Sequence, residues 1–185
     1  LIPYIYSTAR ERGKEGLPMM EHLYLENPAD RNCRAIDDQW MFGDAFLVAP
    51  VLNEGGEREV YFPDGTWNHY FSGEKTEGKQ YLSVKCELDD MPLYVKSGSM
   101  IPTAPVRDYI SDEKLPVTLD IYYREQGETV FPYYEEKKYL WKAVFEGKQV
   151  RLDLGEYDRP VSVRLIGKGQ VQMAENVVKQ YIFYI

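Results

Sequence analysis

Cysteine, histidine, basic excess and long apolar runs are all scarce in this 185-residue chain, and each shortage closes a class of function. The two cysteines, Cys33 and Cys86, lie far apart and form no CxxC or cysteine–histidine spacing, which removes zinc-ribbon and dithiol motifs. They read as two buried thiols, against a disulfide or a metal site. The 22 lysines and arginines face 30 acidic residues, for a net charge of −8, and are scattered along the chain. Nucleic-acid binders gather cations against the phosphate backbone, so no nucleic-acid partner is expected. No apolar run approaches the roughly 18 residues of a membrane span, so no membrane partner is expected. There is no low-complexity tract and no repeat of fixed period. No cofactor and no metal ligand set is expected.

What is present is material for a core. Hydrophobic residues make up 44% of the chain and charged residues 28%, with 16 tyrosines, 7 phenylalanines and 3 tryptophans. The length suits one or two domains. LIPYIYSTARERGKEG opens inside a helical pattern with no cap, initiator methionine or secretory signal. The expectation is a piece of a longer protein, with any targeting segment upstream. Leu1, Ile5, Thr8 and Ala9 share one helical face, and Gly13 and Gly16 supply stop signals.

LPMMEHLYLENP, Leu17 to Pro28, reads as a strand buried on both faces, of the parallel-sheet type. From about Ala45 the period changes to two. Leu82, Val84, Cys86 and Leu88 alternate with polar residues, as do Val117, Leu119, Ile121 and Tyr123. The same beat returns in Val150-Leu152-Leu154 and Val161-Val163-Leu165, and less cleanly from Val177 to Ile185. Turn chemistry at Pro63-Asp64-Gly65, Ser72-Gly73, Ser97-Gly98, Glu146-Gly147 and Gly167-Lys168-Gly169 spaces these runs as antiparallel sandwiches do. The fold expected is mainly β: an N-terminal helix and strand, then two antiparallel β-sandwich modules. The modules divide near residue 112, within the proline-rich and charged stretch between Pro102 and Pro116.

The stretch IDDQWMFGDAFLVAP, Ile36 to Pro50, joins the two styles of chain. Asp37 and Asp38 are adjacent and diverge in any regular structure, whereas a glycosidase pair sits roughly 5 to 10 Å apart on different elements. Asp37 is expected to cap a helical turn through Gln39 to Phe42, closed by Gly43 in a left-handed conformation.

IDDQWMFGDAFLVAPVL resembles the run that joins barrel to β domain in glycoside hydrolase family 31, the α-glucosidases and α-xylosidases. LIPYIYSTARERGKEGLPMM resembles that family's last barrel helix and strand. REVYFPDGTWNHYFSGE resembles its Pro-x-Gly-x-Trp turn and hairpin, and DMPLYVKSGSMIP its Gly-Ser-Ile-Ile-Pro ending. The likeness covers about residues 1 to 102; FPYYEEKKYLW is only loosely similar to the family's Tyr-Glu-Asp-Asp-Gly turn. Where the family commonly has Met-Arg-Pro, this chain has Met20-Glu21-His22.

The resemblance implies a retaining α-glycosidase as parent, with both catalytic aspartates on barrel loops and none of them in this chain. It further implies that residues 1–44 end a TIM-like barrel, 45–112 form a proximal β-sandwich and 113–185 a distal one. The partners implied are the catalytic barrel of the same parent chain and its carbohydrate substrate. The 185 residues alone are expected to be inactive.

Other residues invite chemistry. Glu21 and His22 would face opposite ways in a strand, which favours packing over an acid/base pair. His69 has no second ligand at metal spacing. Trp67, Tyr70 and Phe71 suit a sandwich core. Tyr133, Tyr134, Tyr139 and Trp141 are the candidate sugar-contacting platform, since flat rings match the apolar face of a pyranose, weighed against core packing. Glu135-Glu136-Lys137-Lys138 reads as a solvated turn.

Overall fold

The computed structural model describes residues 1–87, 90–108, 114–167 and 169–185. The expected boundary at residue 112, Leu88 of the alternating run and Lys168 of the glycine-flanked turn lie outside the described residues. The chain is mainly β and forms two compact units, Pro18–Ser97, and Leu1–Leu17 together with Gly98–Ile185. The division differs from the expected modules: the first helix groups with the C-terminal strands, and so does the segment from Gly98 onward.

In the Leu1–Leu17 and Gly98–Ile185 unit, α1 (Ile2–Glu15) starts with a proline in its first turn and ends at Gly16. Gly16 takes φ 74° and donates its N–H to the carbonyls of Arg12 and Gly13, the left-handed cap that glycine enters without a Cβ penalty. The buried face is Tyr4, Ser7, Thr8 and Arg12, which corrects the expected Leu1–Ile5–Thr8–Ala9 face. Packing decided this. Tyr4 stacks on Phe131 with centroids 5.9 Å apart, and Ser7 Oγ accepts the buried Tyr134 N–H at 3.0 Å.

The strands of this unit are β9 (Met100–Thr103), β10 (Val117–Tyr122), β11 (Gln126–Tyr134), β12 (Lys138–Glu146), β13 (Gln149–Asp153), β14 (Val161–Gly167), β15 (Gln170–Val177) and β16 (Gln180–Tyr184). They form two four-stranded sheets, β15-β14-β10-β9 and β11-β12-β13-β16. Pro102 is tolerated because β9 is an edge strand. Contrary to a wholly antiparallel arrangement, β10 and β14 run parallel. β11, β12 and β13, antiparallel to their neighbours in the other sheet, intervene between them in the chain. Leu119, Ile121, Val161, Val163, Phe145 and Val150 are the buried alternates of these strands.

The Pro18–Ser97 unit contains β1 (Met20–His22), α2 (Leu23–Glu26), a 3-10 turn (Asn32–Arg34), β2 (Trp40–Phe42), β3 (Phe46–Val48), β4 (Glu57–Phe62), β5 (Thr66–His69), β6 (Lys75–Glu77), β7 (Gln80–Lys85) and β8 (Leu93–Lys96). Six strands pair antiparallel in the order β1-β2-β3-β8-β5-β6, and β4 and β7 form a separate ribbon. The long parallel-type strand expected over Leu17 to Pro28 is thus corrected. Three residues pair antiparallel with β2, and the His22 side chain then caps α2 by accepting the Tyr24 N–H at 3.1 Å. The core gathers Leu23, Cys33, Met41, Leu47, Phe62 and Trp67.

Candidate functional site

The joining stretch is a clamped hairpin. Trp40 to Phe42 is strand, not the expected helical turn, although Gly43 does take positive φ, at 59°. The reason lies in two side chains. Gln39, 2% exposed, donates Nε2 to the Tyr61 carbonyl at 2.6 Å and accepts the Tyr61 N–H at 3.0 Å, so its amide acts as a strand neighbour for β4. Arg58 Nη1 donates to the carbonyls of Asp38 (2.8 Å) and Pro50 (2.6 Å), and Nη2 lies 2.9 Å from Asp38 Oδ1. Both ends of the hairpin are therefore held by one guanidinium. Asp37 and Asp38 stay on the surface.

Glu21 is buried and His22 half-buried at neighbouring strand positions. His69 Nδ1 accepts the Ser72 N–H at 3.2 Å within its turn, and no metal-competent group of acidic, histidine or cysteine side chains occurs among the described residues. Trp67 is buried with Nε1 donating to the Pro63 carbonyl at 2.8 Å, but Phe71 is 65% exposed and does not join the core. Burial pushes the Cys33 thiol up to about 12, the Asp30 carboxylate reinforcing it. Cys86 is half-buried, its thiol also raised by burial. It lines a cavity of about 600 Å³ together with Pro50, Val51, Asn53, Lys85, Asp90 and Met91. Burial likewise raises Tyr61 to about 12, and its hydroxyl donates to Asp30 Oδ2 at 2.5 Å.

Three of the four candidate platform residues, Tyr133, Tyr139 and Trp141, come together, while Tyr134 packs against α1. Tyr133 is 2% exposed and Trp141 fully buried. Their rings stack at 4.0 Å with 14° between planes, and Tyr157 meets both edge-on. Tyr139 is half-buried against Tyr157. Tyr134 is enclosed by cations, with Arg10, Lys14 and Lys138 at 4.9, 5.0 and 5.8 Å from its centroid. A sugar platform needs an open ring face, so the platform expectation gives way to packing.

The hub of this cluster went unnoticed in the sequence. Glu135 Oε1 accepts from Tyr133 Oη (2.8 Å), Tyr157 Oη (3.0 Å) and Arg159 Nη1 (2.8 Å), while Oε2 lies 2.9 Å from the same Nη1. Arg159 Nη2 continues to the Leu115 carbonyl at 2.9 Å. Burial raises both phenols, and Glu135 raises them further by favouring the neutral form. Chemically the arrangement holds loops together: its carboxylate is committed to a cation and two hydroxyls. A second hub, Glu11, accepts Lys138 Nζ at 2.7 Å and Tyr134 Oη at 2.5 Å. The Lys138 bond first, then Tyr134, lowers its carboxyl to about 2.

Residues 16–101 match the model of the glycosyl hydrolase family 31 C-terminal domain. The chain belongs to glycoside hydrolase family 31, as part of its C-terminal region. It is 30% identical to an α-xylosidase of Saccharolobus solfataricus over 97% of this chain and 25% of that protein. It is 29% identical to α-glucosidase 2 of Bacillus thermoamyloliquefaciens over 85% of this chain and 19% of that protein. A Flavobacterium johnsoniae GH31 dextranase, solved with isomaltotriose, superposes with TM-score 0.83 at 31% identity, covering 89% of this chain and 23% of that one. The chain spans a quarter or less of the length of each of these.

Proposed function

We propose that this chain is the non-catalytic C-terminal β portion of a retaining α-glycoside hydrolase acting on α-glucosides or α-xylosides. The observation that carries the reading is the family match over residues 16–101 in a mainly β chain whose relatives include an α-glucosidase and an α-xylosidase. In this reading residues 1–44 close the catalytic barrel, and 45–112 and 113–185 are proximal and distal sandwich modules that buttress it. These modules follow the family resemblance and cut across the two compact units. The catalytic barrel of the parent is the partner, and its carbohydrate substrate is bound there. The polar groups of the chain fit a supporting role, since Glu135, Glu11 and Asp38 are committed to arginine, lysine and tyrosine side chains. A glycan-binding module lacking catalysis is the less favoured reading, because the rings it would use are turned inward.

The experiment is to assay the 185-residue chain on chromogenic α-glucosides and α-xylosides, and to titrate it with α-glucan oligosaccharides while following tryptophan fluorescence. The expected result is no turnover and no saturable fluorescence change. Turnover would overturn the non-catalytic reading, and a saturable response abolished by Tyr139→Ala would restore the binding module.

A further inference from the structure

Helix α1 hides its more polar arc and exposes its apolar one. The buried arc, Tyr4, Ser7, Thr8 and Arg12, carries two aliphatic hydroxyls and a guanidinium, and it is used up inside the chain against β11. Ile2, Ile5, Tyr6, Ala9 and Gly13 also recur at helical spacing, and they form a second arc about 140° further round. Ile2 is 74% and Tyr6 46% exposed, Ile5 is half-buried, and Ala9 and Gly13 lie on the surface. A helix at the surface of a finished domain turns such a stripe inward, and an apolar stripe left outside marks a contact. Two details fit a contact. Tyr6 Oη already accepts Arg10 Nη1 at 2.9 Å, so the ring can be covered with its oxygen bonded. A Cβ on Gly13 would meet nothing within 4 Å, so no neighbour among the described residues calls for a residue that weakens a helix relative to alanine; with Ala9 it leaves room for close approach by an outside element.

We infer that the Ile2–Ile5–Tyr6–Ala9–Gly13 arc is the surface on which the preceding part of the parent chain, its catalytic barrel, packs, so that α1 is held on one side by β11 and on the other by the barrel. The inference deepens the glycosidase reading and rests on its placement of residues 1–44 beside the barrel. Length and area select this occupant. The chain covers 25% of the α-xylosidase and 19% of the α-glucosidase with which it aligns, so most of a protein of that kind is available to cover the arc. A second copy of the chain is the weaker occupant. The helix has 14 residues and is about 21 Å long, and one face of it falls well short of the roughly 800 Å² per partner that a stable complex buries. A contact within one chain escapes that requirement, because it loses no translational and rotational freedom of a free partner.

Thiol labelling tests it on the full-length parent and the 185-residue chain side by side. In a Cys86→Ser background, with Cys33 buried, Ala9→Cys puts a thiol on the arc and Glu15→Cys puts one at an exposed helical position off it. Both should react readily with N-ethylmaleimide in the 185-residue chain. In the parent, labelling at position 9 should slow about tenfold or more while position 15 stays reactive. Hydroxyl-radical footprinting of the unsubstituted proteins gives the same reading if Ala9→Cys disturbs the parent: oxidation of Tyr6 should fall about tenfold from chain to parent. Ala9→Glu should lower the melting temperature of the parent and leave that of the 185-residue chain unchanged. Equal labelling at position 9 in chain and parent overturns the inference, as does equal protection of positions 9 and 15. A 185-residue chain that dimerises with position 9 already protected assigns the arc to a second copy and overturns it too. Turnover of α-glucosides and α-xylosides by the parent judges the glycosidase reading separately: an active parent with position 9 unprotected sinks only the inference, and an inactive parent with position 9 protected sinks only that reading.

Discussion

Replacing Glu135 tests whether the inward-facing aromatic cluster depends on its carboxylate. Glu135 receives Tyr133, Tyr157 and Arg159, and its removal strands a guanidinium and two hydroxyls at once. The ion pair keeps 26% and 21% side-chain exposure, so the penalty falls short of that for breaking a fully buried pair. Glu135→Ala should destabilise by about 2–3 kcal/mol. Glu135→Gln keeps a neutral acceptor and should cost about 1–2 kcal/mol. In Glu135→Ala with Arg159→Leu, the second change removes the stranded cation, so the two costs should overlap by about 1–2 kcal/mol. Amide hydrogen exchange resolved to β11 and β12 reads this locally, with no assumption that both compact units unfold together. Trp141 gives a second readout, because Trp40 and Trp67 lie in the Pro18–Ser97 unit. A loss below about 0.5 kcal/mol for Glu135→Ala, or strict additivity in the double variant, would refute the hub.

Three further outcomes follow from single residues. Gln39→Ala should cost about 2 kcal/mol by leaving the Tyr61 N–H and C=O without their partner, checked by urea titration. Gly78→Ala should cost about 3 kcal/mol or more, because a Cβ there would sit 2.1 Å from the Pro63 carbonyl oxygen and 2.7 Å from that of Gly65; a variant of unchanged stability would contradict the backbone placement. Glu11 has a folded-state carboxyl at about 2, below its ordinary 4.5. Its contribution is therefore complete above about 4.5 and lost as pH falls towards 2, so the protection of α1 amides, taken relative to their intrinsic exchange rates, should fall over that window, and Glu11→Gln should remove that fall.

Where burial sorts alternate residues, the sequence was legible. Val117 to Tyr122 and Val161 to Leu165 show the period of two and form β10 and β14; β14 buries alternate residues, whereas β10 is buried on both faces from Leu119 to Tyr122. That β10 and β14 run parallel was not legible, because it depends on how many reversals separate them. The face of α1 was misjudged for a related reason. Tyr4 and Ser7 are drawn in by Phe131 and Tyr134, more than 120 residues away, and helical periodicity carries no such term. The aromatic cluster was visible as composition, yet whether Tyr133 and Trp141 look outward or inward is settled by Tyr157 and Arg159, which share no local spacing with them.

Polar residues that looked like surface or caps in the sequence serve here as connectors where sheets are interrupted. β4 illustrates the physics: over Val60 to Phe62, where it is buried on both faces, it must find partners for two rows of backbone groups. β7 satisfies one row, and on the other side Gln39 supplies the donor and acceptor that Tyr61 needs, while Arg58 ties the same strand to Asp38 and Pro50. A side-chain amide thus replaces a strand, which lets the ribbon stand outside the six-stranded sheet instead of joining it.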